Sequence, residues 1–323
     1  MRSDSTLWIV SPLYLDVEAY LRLRVAIAEA LEGADRSFDR VVRVVVDDTA
    51  GSDPRVDELR GEDGIRVIEP PFNLGHQRAI VYGLRSVLPE VADEDTIVTM
   101  DSDGEDRPED LPRLLEALDA SSLPDRTPVI AMRTRREETL RFRVMYVAFR
   151  VIFRTLTGVV VRSGNYAAYR GALARRILPH PHFDLCYSST LISLDLPVVG
   201  VPCARGRRLA GQSRMNFPRL AMHGVRMLMP FTDRVATRAL IAFSLTFALS
   251  IVLAVAVVGV KLVSDAAIPG WATSTLIGML VLSFVSLGNF IVLITIFSQS
   301  RGVALQQLDR VSDGQAVEPS HTR

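Results

Sequence analysis

The rhythm of apolar positions takes three forms along the chain. From residue 1 to about residue 135, short apolar runs alternate with stretches whose apolar residues return every three or four positions. The runs predict strands at Leu7–Val10, Val41–Val46, Ile65–Ile68, Thr96–Met100 and Val129–Met132. The stretches between them predict helices near Val17–Leu31, His76–Leu88 and Glu109–Ala120. In the first helix Leu21, Val25, Ala28 and Leu31 form the expected core-facing stripe, and Pro108 followed by Glu109 and Asp110 marks the start of the third. Strands alternating with helices in this way predict an α/β domain with a mostly parallel sheet covered on both faces.

A second rhythm runs from Glu137 to Thr157, a predicted helix ended by Gly158. Arg136, Arg143, Arg150 and Arg154 fall on one stripe of it, beside an apolar stripe of Leu140, Val144, Val147 and Val151. A basic and apolar helix suits an anionic membrane surface, though a solvated arginine face on an ordinary packed helix gives the same pattern. Phe217–Thr232, with arginines among Leu, Met and Phe, reads as a further interfacial helix.

The third rhythm is continuous. Ala239–Val260 and Ala266–Ser300 contain no charged residue, and each exceeds the roughly 20 apolar residues that cross a bilayer. Lys261 and Asp265 mark the turn between them. Arg219, Arg226, Arg234 and Arg238 precede the first span and Arg301 and Arg310 follow the second, which places both flanks, and so the N-terminal domain, on the cytoplasmic side of an inner membrane. The expected organisation is a cytoplasmic domain over residues 1–215, a juxtamembrane amphipathic region over 216–237, two transmembrane helices within 238–300 (about 239–261 and 272–298), and a polar cytoplasmic tail over 301–323.

Composition narrows the partners. Basic and acidic residues number 37 each, so no global field recruits nucleic acid, and an anionic ligand must be met by a local patch. Cys186 and Cys203 are the only cysteines and lack metal-ligand spacing, which argues against a disulfide framework or a zinc site. The apolar run Leu7–Val10 is too short for a signal-peptide core. The sequence is compatible with a homo-oligomer.

The chemistry is expected just beyond the carboxyl ends of the strands, where ligands bind in such sheets. Thr96–Met100 runs into Asp101, Ser102, Asp103, Gly104, Glu105 and Asp106, four carboxylates in six residues. Their mutual repulsion calls for a cation, and a hard divalent ion such as Mg2+ or Mn2+ is the natural guest; a solvated acidic turn is the plainer reading. Val41–Val46 runs into Asp47 and Asp48, a weaker signal because Asp before Gly and Ser is ordinary turn chemistry. Expected to share a sheet edge with Asp101 and Asp103, at the end of a neighbouring strand, these residues would let a nucleotide lie beside the metal.

This combination resembles the family-2 glycosyltransferases, in particular the branch, similar to dolichyl-phosphate-mannose synthase, that loads sugars onto polyprenyl phosphates. Ser11, Pro12, Leu13 and Tyr14, followed by Asp16, resemble the opening strand-to-loop motif, and Val46, Asp47, Asp48 and Ser52 the nucleotide-binding acidic turn. Asn73, Gly75, Ala79 and Gly83 resemble the loop and helix that follow, and Asp101–Pro108 the metal-binding DxD segment. Gly211, Gln212, Ser213 and Arg214 resemble a mobile loop that closes over the donor diphosphate. The resemblance implies a Rossmann-like nucleotide-sugar-binding domain of the glycosyltransferase A type, with a nucleotide-sugar donor, Mg2+ or Mn2+, and a polyprenyl phosphate acceptor such as undecaprenyl phosphate. It implies that Asp48 contacts the base, Asp101 the ribose or sugar, and Asp103 the metal, with Glu105, where the branch carries glutamine, as a second metal ligand. Arg133, Arg141 and Arg143 would hold the lipid phosphate, Arg133 beside the reacting groups.

Two positions depart from the pattern: Leu15 replaces an Asn, and Arg162 stands where the family often has an aspartate. A phosphate acceptor is already ionised at neutral pH and needs little help from a base, so the departure at Arg162 favours phosphate over a sugar hydroxyl. The alternatives are a transferase acting on another lipid or a growing glycan, and a non-catalytic membrane adaptor that keeps the fold. His180 and His182, flanking Pro181, read as exposed loop residues.

Overall fold

The computed structural model describes residues 5–34, 36–133, 140–160, 163–210, 217–263 and 270–299. Seven strands form one sheet: β1 (Thr6–Leu13), β2 (Arg40–Asp47), β3 (Ile65–Ile68), β4 (Thr96–Thr99), β5 (Val129–Arg133), β6 (Ser163–Arg170) and β7 (Val199–Cys203). Their order is β3-β2-β1-β4-β6-β5-β7, with β6 antiparallel to both its neighbours and the remaining pairs parallel. The helices are α1 (Val17–Glu32), α2 (His76–Val87), α3 (Leu111–Asp119), α4 (Leu140–Thr157), α5 (Gly171–Ile177), α6 (Tyr187–Ser193), α7 (Phe217–Leu228), α8 (Thr232–Val263) and α9 (Trp271–Gln299).

Strand side chains alternate between two cores, as the pleat requires. Leu7, Ile9 and Val45 pack under α1 and α3, while Trp8, Val10, Val44 and Val46 pack under α2, α5 and α6. Strands β1 and β2 therefore carry apolar residues on both faces, the signature of a sheet covered on both sides. Gly83 lets α2 lie close: a Cβ there would run into Val46 and come within 3.0 Å of Val10.

The first five strands and the helices among them match the sequence reading to within a few residues. Two expectations fail. The buried face of α1 is Val17, Tyr20, Leu23 and Ile27, whereas Val25 is exposed and Leu21 and Leu31 only flank the core. Outside the charged stripe of Glu18, Arg22 and Glu29 the helix is mostly apolar, so periodicity admits more than one stripe and the sheet selects the one carrying Tyr20. Asp48 and Asp101 also do not end adjacent strands, because β1 lies between β2 and β4. The chain crosses from β1 to β2 on one side and returns to β4 on the other, the reversal of order at which α/β sheets open a crevice. A short 3-10 turn, Pro108–Asp110, precedes α3.

The described residues divide into two compact units, one containing the sheet and reaching Pro230, the other comprising Ile152–Val159, Phe231, α8 and α9. In the second, α8 and α9 are long and apolar enough to cross a membrane, and pack together with Ser250 and Ser283 hydroxyls 2.6 Å apart. Gly158 ends α4 with φ +79°, and Arg238 donates to the carbonyls of Arg154 (3.1 Å) and Thr155 (2.6 Å), a cation on the negative end of a helix. Phe231 meets Phe153 edge-on, with centroids 5.5 Å apart.

Candidate active site

The site is built on the carboxyl edge of the sheet, where β1, β2 and β4 end and antiparallel β6 begins. Asp47 is fully buried and shapes its turn: its carboxylate accepts from the backbone N–H (3.0 Å) and hydroxyl (2.6 Å) of Thr49 and from Gly51 N–H (3.3 Å). Asp48 faces the next segment, accepting Leu74 N–H at 2.6 Å while Asn73 Nδ2 donates to its carbonyl at 2.6 Å. Burial raises the Asp48 carboxyl above its usual range despite N–H donors from Leu74 and Gly75. Gly75, at φ +79°, turns the chain into α2 in a conformation that suits glycine.

The first residue of α2 then reaches the other acidic turn. His76 Nε2 lies 3.0 Å from Asp101 Oδ1, so residues 73–76 tie Asp48 to Asp101 across the end of β1. Desolvation works against the His76 imidazolium, but Asp101, joined by Asp103 and Asp106, outweighs it and raises its pKa. Asp101 is the converse case: burial alone would raise it, yet His76, Arg133 and the Asn165 amide hold it well below the ordinary range. From β6, Asn165 Nδ2 donates to Asp101 Oδ1 at 2.9 Å.

Arg133, at the end of β5, is an internal counterion, 3.2 Å from Asp106 Oδ1 and 4.0 Å from Asp101 Oδ2. Its guanidinium lies over Gly164, where a Cβ would come within 2.8 Å of it. Asp106 closes the acidic turn by accepting Asp101 N–H at 3.0 Å, and its burial beside Asp101 pushes its carboxyl up to about 7. Asp103 is pushed up to about 6 by burial and by its neighbours Asp101 and Glu105.

A loop after β7 lies on this turn. Leu209 N–H donates to Asp103 O (2.9 Å) and Gly206 N–H to Glu105 O (2.8 Å). Arg208 bridges Asp103 Oδ2 at 2.6 Å and Asp16 Oδ2 at 3.1 Å, and Arg205 Nε donates to Glu105 Oε2 at 3.1 Å. The proposed metal carboxylates thus each meet a guanidinium. Among the described residues no group of three or more His, Cys, Asp or Glu side chains forms a ligand shell. Mg2+ and Mn2+ ordinarily take only one or two protein carboxylates when phosphate oxygens complete the octahedron, so the hard carboxylate oxygens of Asp103 and Glu105 fit such an ion.

Pro12 lies in β1 paired with Val46, Tyr14 and Ser52 are exposed, and Leu15 has φ +56°, a left-handed conformation uncommon for a branched side chain. Arg214 and its motif, and Arg162, lie outside the described residues; Arg141 and Arg143 fall in α4 where only the backbone is described. His180 and His182, expected to be exposed, sit half-buried at a 3-10 turn with their rings 4.7 Å apart.

Sequence reasoning missed His76, Gln77, Asn165, Arg205 and Arg208. The dense run Arg205, Arg207, Arg208 was the one available signal, since four carboxylates in a neutral chain need local counterions. It also missed the role of α7 within this unit: Arg226 comes within 3.8 Å of a Cβ built on Gly75, and burial together with His76 and Arg226 lowers the pKa of His223.

The family model for glycosyl transferase family 2 matches residues 9–178, from β1 through α5. No curated protein sequence matches the chain. Among solved structures, it is similar to glucosyl-3-phosphoglycerate synthase from Mycobacterium tuberculosis in complex with Mn2+, UDP-glucose and phosphoglyceric acid, at 16% identity and TM-score 0.48 over 72% of this chain and 80% of that one. It is also similar to a mycobacterial protein (18% identity, TM-score 0.47, 72% and 74% covered) and to 4-diphosphocytidyl-2C-methyl-D-erythritol synthase (13%, 0.41, 70% and 100%). Because the family match spans more than half of the chain and includes both acidic turns, the chain belongs to glycosyl transferase family 2 and is a glycosyltransferase.

Proposed function

We propose that this glycosyltransferase moves a sugar from a nucleotide-sugar donor, a UDP-sugar foremost, to a polyprenyl phosphate at the cytoplasmic face of an inner membrane, with inversion at C1. The observation that carries this reading is the bridge of residues 73–76, which joins Asp48 to Asp101 and so prepares one continuous floor for base, ribose and diphosphate. Asp47 contributes through the shape of its turn, Asp48 and Asn73 receive the base, and Asp101 meets the ribose. Pro12, Tyr14, Asp16, Ser52 and Gly75 line the approach, and Arg214 follows the diphosphate.

Mg2+ or Mn2+ held by Asp103 and Glu105 would supply Lewis-acid neutralisation of the leaving diphosphate. In the transfer an acceptor phosphate oxygen forms a bond to C1, the C1–O bond to the diphosphate breaks, and its electron pair leaves with the nucleotide. No side chain has to remove a proton, because the acceptor is already ionised. Arg133 steadies the acidic turn from inside, and the guanidinium groups of Arg205 and Arg208 are at hand for the charge that develops on the diphosphate. Arg141 and Arg143 remain the proposed partners of the lipid phosphate.

Membrane attachment is supported by the apolar helices α8 and α9 and by two exposed apolar stripes in the sheet-bearing unit. Val147 and Val151 on α4, and Met222, Val225 and Met229 along and just after α7, recur at helical spacing and are all more than 40% exposed. Incubation with radiolabelled nucleotide sugars and undecaprenyl phosphate tests the acceptor. Label in the lipid phase is the expected result, and label only on hydroxyl sugars would overturn it.

A further inference from the structure

Two buried amides lie beneath the acidic turn and enter none of the roles above. Gln77, the second residue of α2, and Asn165, near the start of β6, are 8% and 7% exposed. Gln77 Oε1 accepts from Ser188 N–H (3.0 Å), the Ser188 hydroxyl (3.1 Å) and the Cys186 thiol (3.3 Å). Gln77 Nε2 donates to Asn165 Oδ1 at 2.5 Å, and Asn165 Nδ2 reaches Asp101 Oδ1 at 2.9 Å and His76 Nε2 at 2.7 Å.

The polarity of this chain is fixed at one end. A backbone N–H can only donate, so the Gln77 atom facing Ser188 must be oxygen. The other end of that amide must then be NH2, and the Asn165 atom meeting it must be oxygen. Asn165 is left with its NH2 toward Asp101. Turned round, it would set a carbonyl oxygen against a carboxylate and leave a buried donor without a partner. Strand β4 holds the Asn165 backbone: Thr99 Oγ1 donates to Asn165 O at 2.6 Å and lies 2.9 Å from the hydroxyl of Tyr187, next to Ser188 on α6.

We propose that Gln77 and Asn165 are positioning residues, a relay that carries the donor polarity of the α6 N-terminus to Asp101 and sets which carboxylate oxygen meets the nucleotide ribose. Asn165 Nδ2 donates to Oδ1, with His76 Nε2 lying against both, so Oδ2 is the oxygen that receives a ribose hydroxyl. The proposal rests on the reading above that Asp101 meets the ribose. Serving one oxygen from below keeps the other in a single orientation, which lowers the ordering cost of binding.

Calorimetry of UDP with Mn2+ on the full chain in detergent separates the two ideas through a double-mutant cycle. Asp101→Asn should weaken UDP. Gln77→Met should weaken it about three- to tenfold with Asp101 present and leave it unchanged in the Asp101→Asn background, because the relay acts only through that carboxylate. If Asp101→Asn has no effect, the ribose reading fails and the relay with it. If Asp101→Asn weakens UDP but Gln77→Met does so equally in both backgrounds, the relay alone is overturned. Gln77→Glu gives a readout independent of binding. Its second oxygen forces Asn165 to turn round, so it should lower Tm in the presence of Asp101 and lower it less beside Asp101→Asn, whose amide can donate to the turned carbonyl. Equal losses of Tm in the two backgrounds would contradict the relay.

Discussion

Arg208 donates to Asp103 at 2.6 Å, so a guanidinium stands against the carboxylate that the proposed function gives to a divalent cation. The two cations compete for one oxygen set. Removing the guanidinium should therefore raise Mn2+ affinity in the absence of nucleotide, by about three- to tenfold on the scale of coupled charge pairs, while weakening UDP that needs Arg208 as a diphosphate partner. Titration of Arg208→Gln with Mn2+, followed by the free-ion paramagnetic resonance signal, checks the first half and UDP calorimetry the second. Unchanged Mn2+ affinity would separate Arg208 from the metal site.

The metal-free protein should become more stable as pH falls from 8 toward 5. Asp103 and Asp106 have folded pKa values of about 6 and about 7, above the ordinary carboxylate range near 4. Between these limits the native chain holds protons that the unfolded chain has released, so raising the pH through this window costs stability. Asp101, held below its usual range, contributes with the opposite sign only in more acidic solution. Tm measured in EDTA should fall between pH 5 and 8, and Asp106→Asn should flatten that slope.

Leu15→Asn should stabilise the fold. The residue has φ +56° and is partly exposed, so its branched side chain meets left-handed strain without a compensating core contact. Relief of about 1 kcal/mol is expected, read as a rise of a few degrees in Tm. Asn is the residue of the resembling family at this position, and no loss of UDP binding should accompany the gain.

Gly83→Ala should do the reverse. The added methyl would overlap Val46 and press on Val10, forcing α2 away from the sheet. Overpacking of this kind costs about 1–3 kcal/mol. Because α2 carries His76 and Gln77 at its start, UDP affinity should fall together with Tm.

The parts of the site that lie within one segment were legible in the sequence. Thr96–Met100 running into four carboxylates announces a buried strand followed by a charged turn, and residues 101–106 form that turn. Residues that meet across segments were not legible: His76, Asn165 and Arg208 reach the turn from positions 25, 64 and 105 residues away from their partners. Strand β6 escaped notice because Ser163, Gly164, Asn165 and two alanines give it neither β-branched residues nor an alternating pattern. Strand order was beyond reach as well, since β1 lies between β2 and β4 through pairing rather than through any local preference. The cluster of carboxylates pointed to a cation by itself, whereas the expected role of Asp48 came from resemblance to a family, since Asp before Gly and Ser is ordinary turn chemistry.

The central claim is that the acidic turn after β4 holds the cation that carries the donor diphosphate. Asp103→Ala, purified in detergent with its Tm retained, tests it through UDP calorimetry with and without Mn2+. Binding that depends on Mn2+ in the unaltered protein and is lost in Asp103→Ala is the predicted result; Mn2+-dependent binding that survives the substitution would contradict it.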